Sequence, residues 1–189
     1  MYGYLAHHGV KGQKWGVRRY QNPDGTHTPL GRIRDRARDR KRYSSDDRVF
    51  VSGKVSYNEE LNEDLKAEVD KIIKANAQIL IGDAPGADTR VQEYLAKKGY
   101  SKVKVYTTDP KARNNVGKWK VEKIDHHGET EERLVRRQKD IAMTEQSTRG
   151  LAIVPEDDRP DSATSLNVQR LNDSGLRVRK YDYKKKKWV

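Results

Sequence analysis

Short apolar runs alternate with helical hydrophobic patterns along most of this chain, and that alternation constrains the fold more than any other feature. The apolar runs lie at residues 48–51, 78–81, 103–106, 150–154 and 177–181. Amphipathic spacing places helices near residues 59–73, 87–98, 129–145 and 164–172, the first behind a capping-box pattern at 56–59. Strands that alternate with helices predict an α/β fold, a parallel sheet with helices on both faces and a ligand at the carboxyl ends of the strands.

Residues 107–128 interrupt this pattern with a polar, basic stretch that contains proline and glycine. A long loop inside a compact domain is often a lid or a binding loop. Lys118 and Lys120 could then clamp a phosphate while Trp119 stacks on a base. A solvated loop is the alternative interpretation.

The net charge of +12 comes entirely from the two ends of the chain. Residues 1–43 hold 11 Lys and Arg against three Asp, and residues 184–189 hold four Lys and no acid, whereas residues 44–183 balance at 25 of each sign. The division predicts a flexible basic extension at 1–43, a neutral folded domain at 44–183 and a basic tail at 184–189. A neutral domain does not resemble a nucleic-acid-binding one, so any DNA binding is expected at the ends.

Composition excludes several other classes of protein. The chain has no Cys, which excludes a disulfide scaffold, a thiol nucleophile and a Cys-based zinc site. It has no apolar run long enough for a transmembrane helix and no apolar signal segment at its start, so we expect no membrane partner and a cytoplasmic location. His7-His8 and His126-His127 lack a third ligand at metal-binding spacing, and no metal site is expected.

Three strand-to-helix turns are rich in small and polar residues. The candidate ligand-binding residues are Ser52, Gly53 and Lys54 in the first turn, Gly82, Asp83, Gly86, Ala87 and Asp88 in the second, and Ser162 and Thr164 in the third. Glycine allows close backbone approach to a ligand, and free N–H groups at a helix start favour an anion such as phosphate. Ordinary turns and helix caps are the alternative interpretation.

The same residues carry a resemblance to a known family. The turn Gly82-Asp83-Ala84-Pro85-Gly86-Ala87-Asp88, the helix motif Lys139-Asp140-Ile141-Ala142-Met143 and the turn Ser162-Ala163-Thr164 resemble, in this order, motifs of the SLOG superfamily and its YspA-like branch. The resemblance covers about residues 48–183. It implies a Rossmann-like fold that binds nucleotides or nucleotide-derived small molecules, and it adds Asp140 and Met143 to the candidate ligand-binding residues.

Two departures from the family pattern bear on activity. Ala163 stands where the branch usually has glycine, which narrows the backbone angles available for phosphate contact. The P-G-G-x-G-T motif of the LOG enzymes in this superfamily, which hydrolyse the N-glycosidic bond of nucleoside monophosphates, is absent. A binder is therefore better supported than an enzyme, and the resemblance implies a nucleotide or nucleotide derivative as ligand without assigning a cofactor.

The roles of Asp88 and Asp140 each have two interpretations. They could act as acids or as ribose ligands. Alternatively, Asp88 complements a helix dipole and Asp140 forms an ion pair with Arg136 or Arg137.

The N-terminal segment at residues 7–26 resembles a leader found at the start of diverse proteins encoded near the head genes of phages and prophages of Gram-positive bacteria. Because that leader precedes different domains, it is interpreted as a tag for location or packaging, with a phage head component or DNA as its partner.

Three functions follow from these observations. The first is a phage-encoded, SLOG-like protein that binds or sequesters a nucleotide or signalling dinucleotide. The second is an N-glycosidase or hydrolase acting on the same ligands, and the third is a structural protein of the virion or its DNA that uses the basic ends. The family also suggests a homodimer, although no apolar pattern marks an interface.

Overall fold

A computed structural model describes residues 28–30 and 43–189 of the chain. Contacts between residues divide it into two units, Met1–Arg42 and Tyr43–Val189. The segment at 7–26 and the basic extension lie almost entirely outside the described residues. The described residues contain no helix long and apolar enough to cross a membrane.

The unit Tyr43–Val189 is built on one mixed sheet. Its strands are β1 (Arg48–Gly53), β2 (Gln78–Gly82), β3 (Val103–Thr107), β4 (Lys120–Lys123), β5 (Arg149–Ile153), β6 (Arg177–Asp182) and β7 (Lys187–Trp188). They lie in the order β4-β3-β2-β1-β5-β6-β7, and all neighbours are parallel except β6 and β7. The predicted α/β, Rossmann-like fold is confirmed.

Helices cover both faces of the sheet. They are α1 (Glu63–Lys74), α2 (Ala87–Lys97), α3 (Glu132–Gln146) and α4 (Ala163–Asp173). Val49 and Val51 of β1 point to the face covered by α1 and α2, whereas Phe50 packs with Met143 of α3 and Leu171 of α4. Successive side chains of a strand point to opposite faces, which is why a strand buried on both sides is apolar throughout.

Helix α1 begins later than the capping-box pattern predicts. Its N-cap is Asn62, whose side chain accepts a hydrogen bond from the Leu65 N–H at 3.1 Å. Ser56 and Tyr57 instead belong to the turn after β1, where the Tyr57 N–H donates to the Lys54 carbonyl. The capping-box prediction is wrong because Tyr57 is buried against Tyr183 rather than starting a helix.

The stretch at 107–128 is not a continuous loop, because its residues 120–123 form β4 beside β3. The Asn115 side chain holds the turn before this strand by bonding both the N–H and the carbonyl of Trp119 at 2.9 Å. The Trp119 indole donates to the Tyr100 carbonyl at 2.7 Å and packs against the core. β4 is an edge strand with exposed Lys side chains, so it shows no apolar alternation in the sequence.

The segment 184–189, separated above as a basic tail, contains β7 and completes the sheet. Its Trp188 lies 4.9 Å from Tyr181, edge to face, with the Arg179 guanidinium 4.1 Å above its ring. Lys184 pairs with Asp157, and Lys185 pairs with Glu156. These lysines are therefore partly neutralised by the loop after β5.

Candidate functional site

A cleft of about 540 Å³ opens at the carboxyl end of the sheet. It lies beside β1, where the chain order reverses: β2 to β4 follow on one side of β1, and β5 to β7 on the other. Open α/β sheets bind ligands at such switch points. The lining of the cleft includes Ser52 and Gly53 at the end of β1, Ala84 and Pro85 before α2, Asp88 in the first turn of α2, Arg136, Lys139, Asp140 and Met143 of α3, and Ala163, Thr164 and Asn167 of α4.

The first two turns pack directly on each other behind this cleft. A Cβ atom added at Gly53 would overlap that of Ala87, and one added at Gly86, which has φ +83°, would overlap the Val55 carbonyl. The Ala87 N–H already donates to the Lys54 carbonyl at 3.1 Å. The two glycines therefore allow the turns to pack closely, and the Ala87 N–H at the start of α2 is bonded to the chain itself rather than free for an anion.

Asp83 is buried beneath the cleft in a dense polar network. One carboxylate oxygen accepts from Lys139 Nζ and from Arg113 Nη2, each at 2.7 Å, and the other accepts from Thr107 Oγ1 at 2.8 Å. Burial alone would raise the pKa of Asp83, but the hydrogen bonds from Arg113 and the charge of Lys139 outweigh it and hold the pKa well below its usual range. With its oxygens occupied by these donors, Asp83 positions Arg113 and Lys139.

Asp88 lies above this network and faces the cleft. A Cβ atom at Gly82 would meet both an Asp88 carboxylate oxygen and Lys139 Nζ, so the absence of a side chain at Gly82 makes room for the two charged groups. Burial raises the pKa of Asp88 to about 7, against the charge of Lys139 and a hydrogen bond from Ala84. A carboxyl group with this pKa can exchange protons near neutral pH.

Asp140 forms the other acidic wall of the cleft. Burial raises its pKa, opposed by the charge of Lys139 and by a hydrogen bond from Asn167. The Asn167 amide also donates to Ser52 Oγ at 3.1 Å, which ties the end of β1 to α4. Met143 lies one helical turn after Lys139 on α3 and is fully buried, so it supplies apolar floor rather than a polar contact.

The polar groups of the third turn bind a carboxylate of the chain, that of Asp158. Asp158 accepts hydrogen bonds from the hydroxyls of Ser162, the N-cap of α4, and Ser165, the latter at 2.9 Å, and pairs with Lys54 Nζ at 2.8 Å. Lys54 and Ser162 therefore already bind a carboxylate of the chain. Thr164, also buried, lines the cleft beside them.

Arginines surround the mouth of the cleft. A second cavity of about 280 Å³ adjoins it between α3 and α4, lined by Arg133, Arg136, Arg137 and Arg170 and floored by Leu166; we call it the arginine groove. A third cavity, of about 650 Å³, lies beside Lys54. Ala163 lines all three cavities and marks the point where they meet.

The structure thus brings the three predicted turns together but leaves the proposed lid residues elsewhere. Lys118, Trp119 and Lys120 precede or begin the edge strand β4 and do not line the cleft. Arg113, which the sequence analysis missed, lines the cleft from the same stretch. Lys139 was also missed, although its place at the start of the Lys139–Met143 motif could have indicated that it belongs to the site. Asp158 carries no local signal, because its partners are distant in sequence.

Within residues 28–30 and 43–189, no three His, Asp or Glu side chains lie close enough together to bind a metal ion. His7 and His8 lie outside the described residues.

Comparison with known proteins identifies one match. Residues 2–22 match the model of a family of unknown function, DUF7211, within the segment that is not described. No curated protein and no solved structure matches the chain.

Proposed function

We propose that the chain binds a phosphorylated small molecule of nucleotide type in the cleft beside β1. The observation that carries this proposal is the polarity of the site: two carboxyl groups whose pKa values burial raises, Asp88 and Asp140, line its interior, and Arg136 stands at its mouth. The volume of about 540 Å³ suits a single small ligand.

The two ends of the cleft would recognise different parts of such a ligand. Carboxylates accept hydrogen bonds from sugar hydroxyls, and guanidinium groups bind phosphate oxygens in a bidentate manner. Asp88 and Asp140 would take the sugar and Arg136 the phosphate. The phosphate would then lie at the arginines rather than at the Ala87 N–H or the Ser162 hydroxyl, which already bind groups of the chain itself. The resemblance to the SLOG superfamily supports the same ligand class.

Ala163 offers a sharp test because it is exposed where the cavities meet. A Glu in the first turn of a helix is favourable for stability, so Ala163→Glu should fold normally while placing a negative charge in the path of a phosphate. Ala163→Gln has nearly the same size and no charge, which makes it the matched control. Binding of a panel of nucleoside 5′-phosphates is measured by titration calorimetry with the full chain.

We expect a member of the panel to bind the wild type and the Gln variant, and to bind the Glu variant at least tenfold more weakly. If no nucleotide binds, or if the Glu and Gln variants bind equally well, the proposal fails.

A second function, hydrolysis of the bound nucleotide, is favoured by one observation. Asp88 faces the cleft with a pKa raised by burial to about 7, as a general acid or base requires. Stoichiometric protein is incubated with the bound nucleotide and the products are identified by mass spectrometry. Hydrolysis lost in Asp88→Asn, with binding retained, supports this function. An intact nucleotide after incubation with the wild type excludes it.

We also propose that the segment at 7–26 directs the protein to phage heads, on the leader resemblance alone. Deleting residues 1–26 should then prevent recovery of the protein with purified particles from an induced prophage. Equal recovery of the shortened chain would contradict this assignment.

A further inference from the structure

The arginine groove collects positive charge beside the cleft. Arg133, Arg136 and Arg137 project from α3, and Arg170 faces them from α4, over a floor that includes Leu166 and Ala163. The positions on α3 are spaced at i, i+3 and i+4, so one face of the helix presents all three.

Only some of these four arginines form ion pairs or hydrogen bonds with acidic or backbone carbonyl groups of the chain. Arg136 pairs with Glu132, and Arg133 donates to the Asp161 carbonyl at 3.3 Å. Arg137 has no ion-pair partner in the part of the chain that the structure describes. Arg170 donates to the Asn167 side chain at 2.6 Å, which is a neutral acceptor. Two guanidinium groups are therefore available to an anion from solution.

The two guanidinium groups also act on each other. The pKa of Arg170 is lowered by burial and by the neighbouring charge of Arg137, with Asp140 acting in the opposite direction. Holding like charges together in a half-buried cavity costs free energy that an anion between them would offset. The remaining acids of the groove, Glu132 and Asp161, are exposed and face Arg136 and Arg159.

The groove shares Arg136, Asp140 and Ala163 with the cleft, so one ligand can reach both. We infer that the arginine groove is a second anion subsite, which binds a pyrophosphate or second phosphate group of the ligand that the cleft holds. The inference rests on the proposed function for the remainder of the ligand. It narrows the ligand class to nucleotides that carry more than one phosphate.

Inorganic pyrophosphate tests the subsite without the rest of a nucleotide. Its binding to the full chain is measured by titration calorimetry for the wild type, for Arg137→Gln, for Arg170→Gln and for Arg137→Lys. Arg177→Gln is the charge-matched control, because Arg177 is exposed at the start of β6, at the opposite end of the strands from the cleft.

We expect pyrophosphate to bind the wild type and to bind each groove Gln variant about tenfold more weakly, as for the loss of one charge-assisted hydrogen bond. Arg137→Lys should recover part of the affinity, and Arg177→Gln should change it less than twofold. Nucleoside 5′-diphosphates should bind more tightly than the monophosphates, and this preference should disappear in Arg137→Gln.

Absence of pyrophosphate binding, or equal binding by the groove variants and the control, overturns the subsite. Displacement of pyrophosphate by a single-stranded oligonucleotide at lower concentration than by nucleoside diphosphates also overturns it, in favour of a nucleic-acid surface. The two proposals fail separately: if pyrophosphate binding depends on Arg137 while no nucleotide binds more tightly than pyrophosphate, the subsite holds and the nucleotide site does not.

Discussion

Replacement of Asp83 by Asn tests the claim that one buried carboxylate organises the floor of the cleft. Asp83 is 1% exposed and Lys139 is 5% exposed, so the substitution leaves an ammonium group in the interior without its closest partner at 2.7 Å. Removing one member of a buried ion pair costs about 3 to 5 kcal/mol. Arg113 is less affected, because its side chain reaches solvent and also contacts Asp109.

A neighbouring group sets the size of the loss. The charge of Asp83 helps to raise the pKa of Asp88, so neutralising Asp83 lets Asp88 ionise more readily beside Lys139. Asp88 then replaces part of the lost interaction. We therefore expect the lower end of the range, about 3 kcal/mol, which corresponds to a fall in Tm of roughly 6 to 12 °C for a unit of this size.

Urea denaturation at pH 7, followed by circular dichroism, measures this loss. Asp109→Asn is the control, since it removes an exposed partner of the same Arg113 and should cost less than about 1 kcal/mol. Asp83→Asn combined with Lys139→Met removes both buried charges and should recover more than half of the loss. A single variant Asp83→Asn within about 1 kcal/mol of the wild type would refute the reasoning.

Three further predictions concern other parts of the unit. Gly53→Ala should cost roughly 1 to 3 kcal/mol, because its Cβ overlaps Ala87, and an unchanged denaturation midpoint would contradict that packing. The stability of the wild type relative to Asp88→Asn should fall by up to about 1.4 kcal/mol per pH unit between pH 4 and 7. In that range the unfolded chain has released the Asp88 proton, near its ordinary pKa of 3.8, while the native state keeps it up to about 7; a difference independent of pH would show that Asp88 titrates normally. Trp188→Ala should lower the free energy of unfolding by roughly 2 kcal/mol, because it removes the contact with Tyr181 and a cation–π contact with Arg179. Val189→Ala is the control. Equal melting temperatures for the two variants would show that β7 adds nothing to the stability of the sheet.

Much of the fold could be predicted because the signals are local. A buried strand such as Gln78–Gly82 needs apolar side chains on both faces, and a helix such as α2 needs one apolar stripe. β4 and β7 could not be predicted in this way. Their sequences are polar or short, and they become strands only because β3 and β6 offer unpaired edges.

The candidate site was likewise predictable in part. The three turns could be placed at one edge of the sheet, because the carboxyl ends of parallel strands meet there. Their detailed roles differ from the prediction: Gly86 and Ala87 pack under the Lys54–Val55 backbone, and Ser162 holds Asp158. A turn that binds phosphate and a turn whose polar groups are bonded within the chain use the same residue types, so composition alone does not distinguish them.

The sequence by itself determined the alternation of five strands with four helices, the parallel pairing of those strands and the edge of the sheet at which a ligand site forms. Only the tertiary structure decided which charges meet at that edge. Asp83 with Lys139, Lys54 with Asp158, and Arg137 with Arg170 are 33 to 104 residues apart and come together through the sheet and its covering helices. Electrostatic energy depends on distance and burial in space, and neither quantity is encoded by the local pattern of a chain.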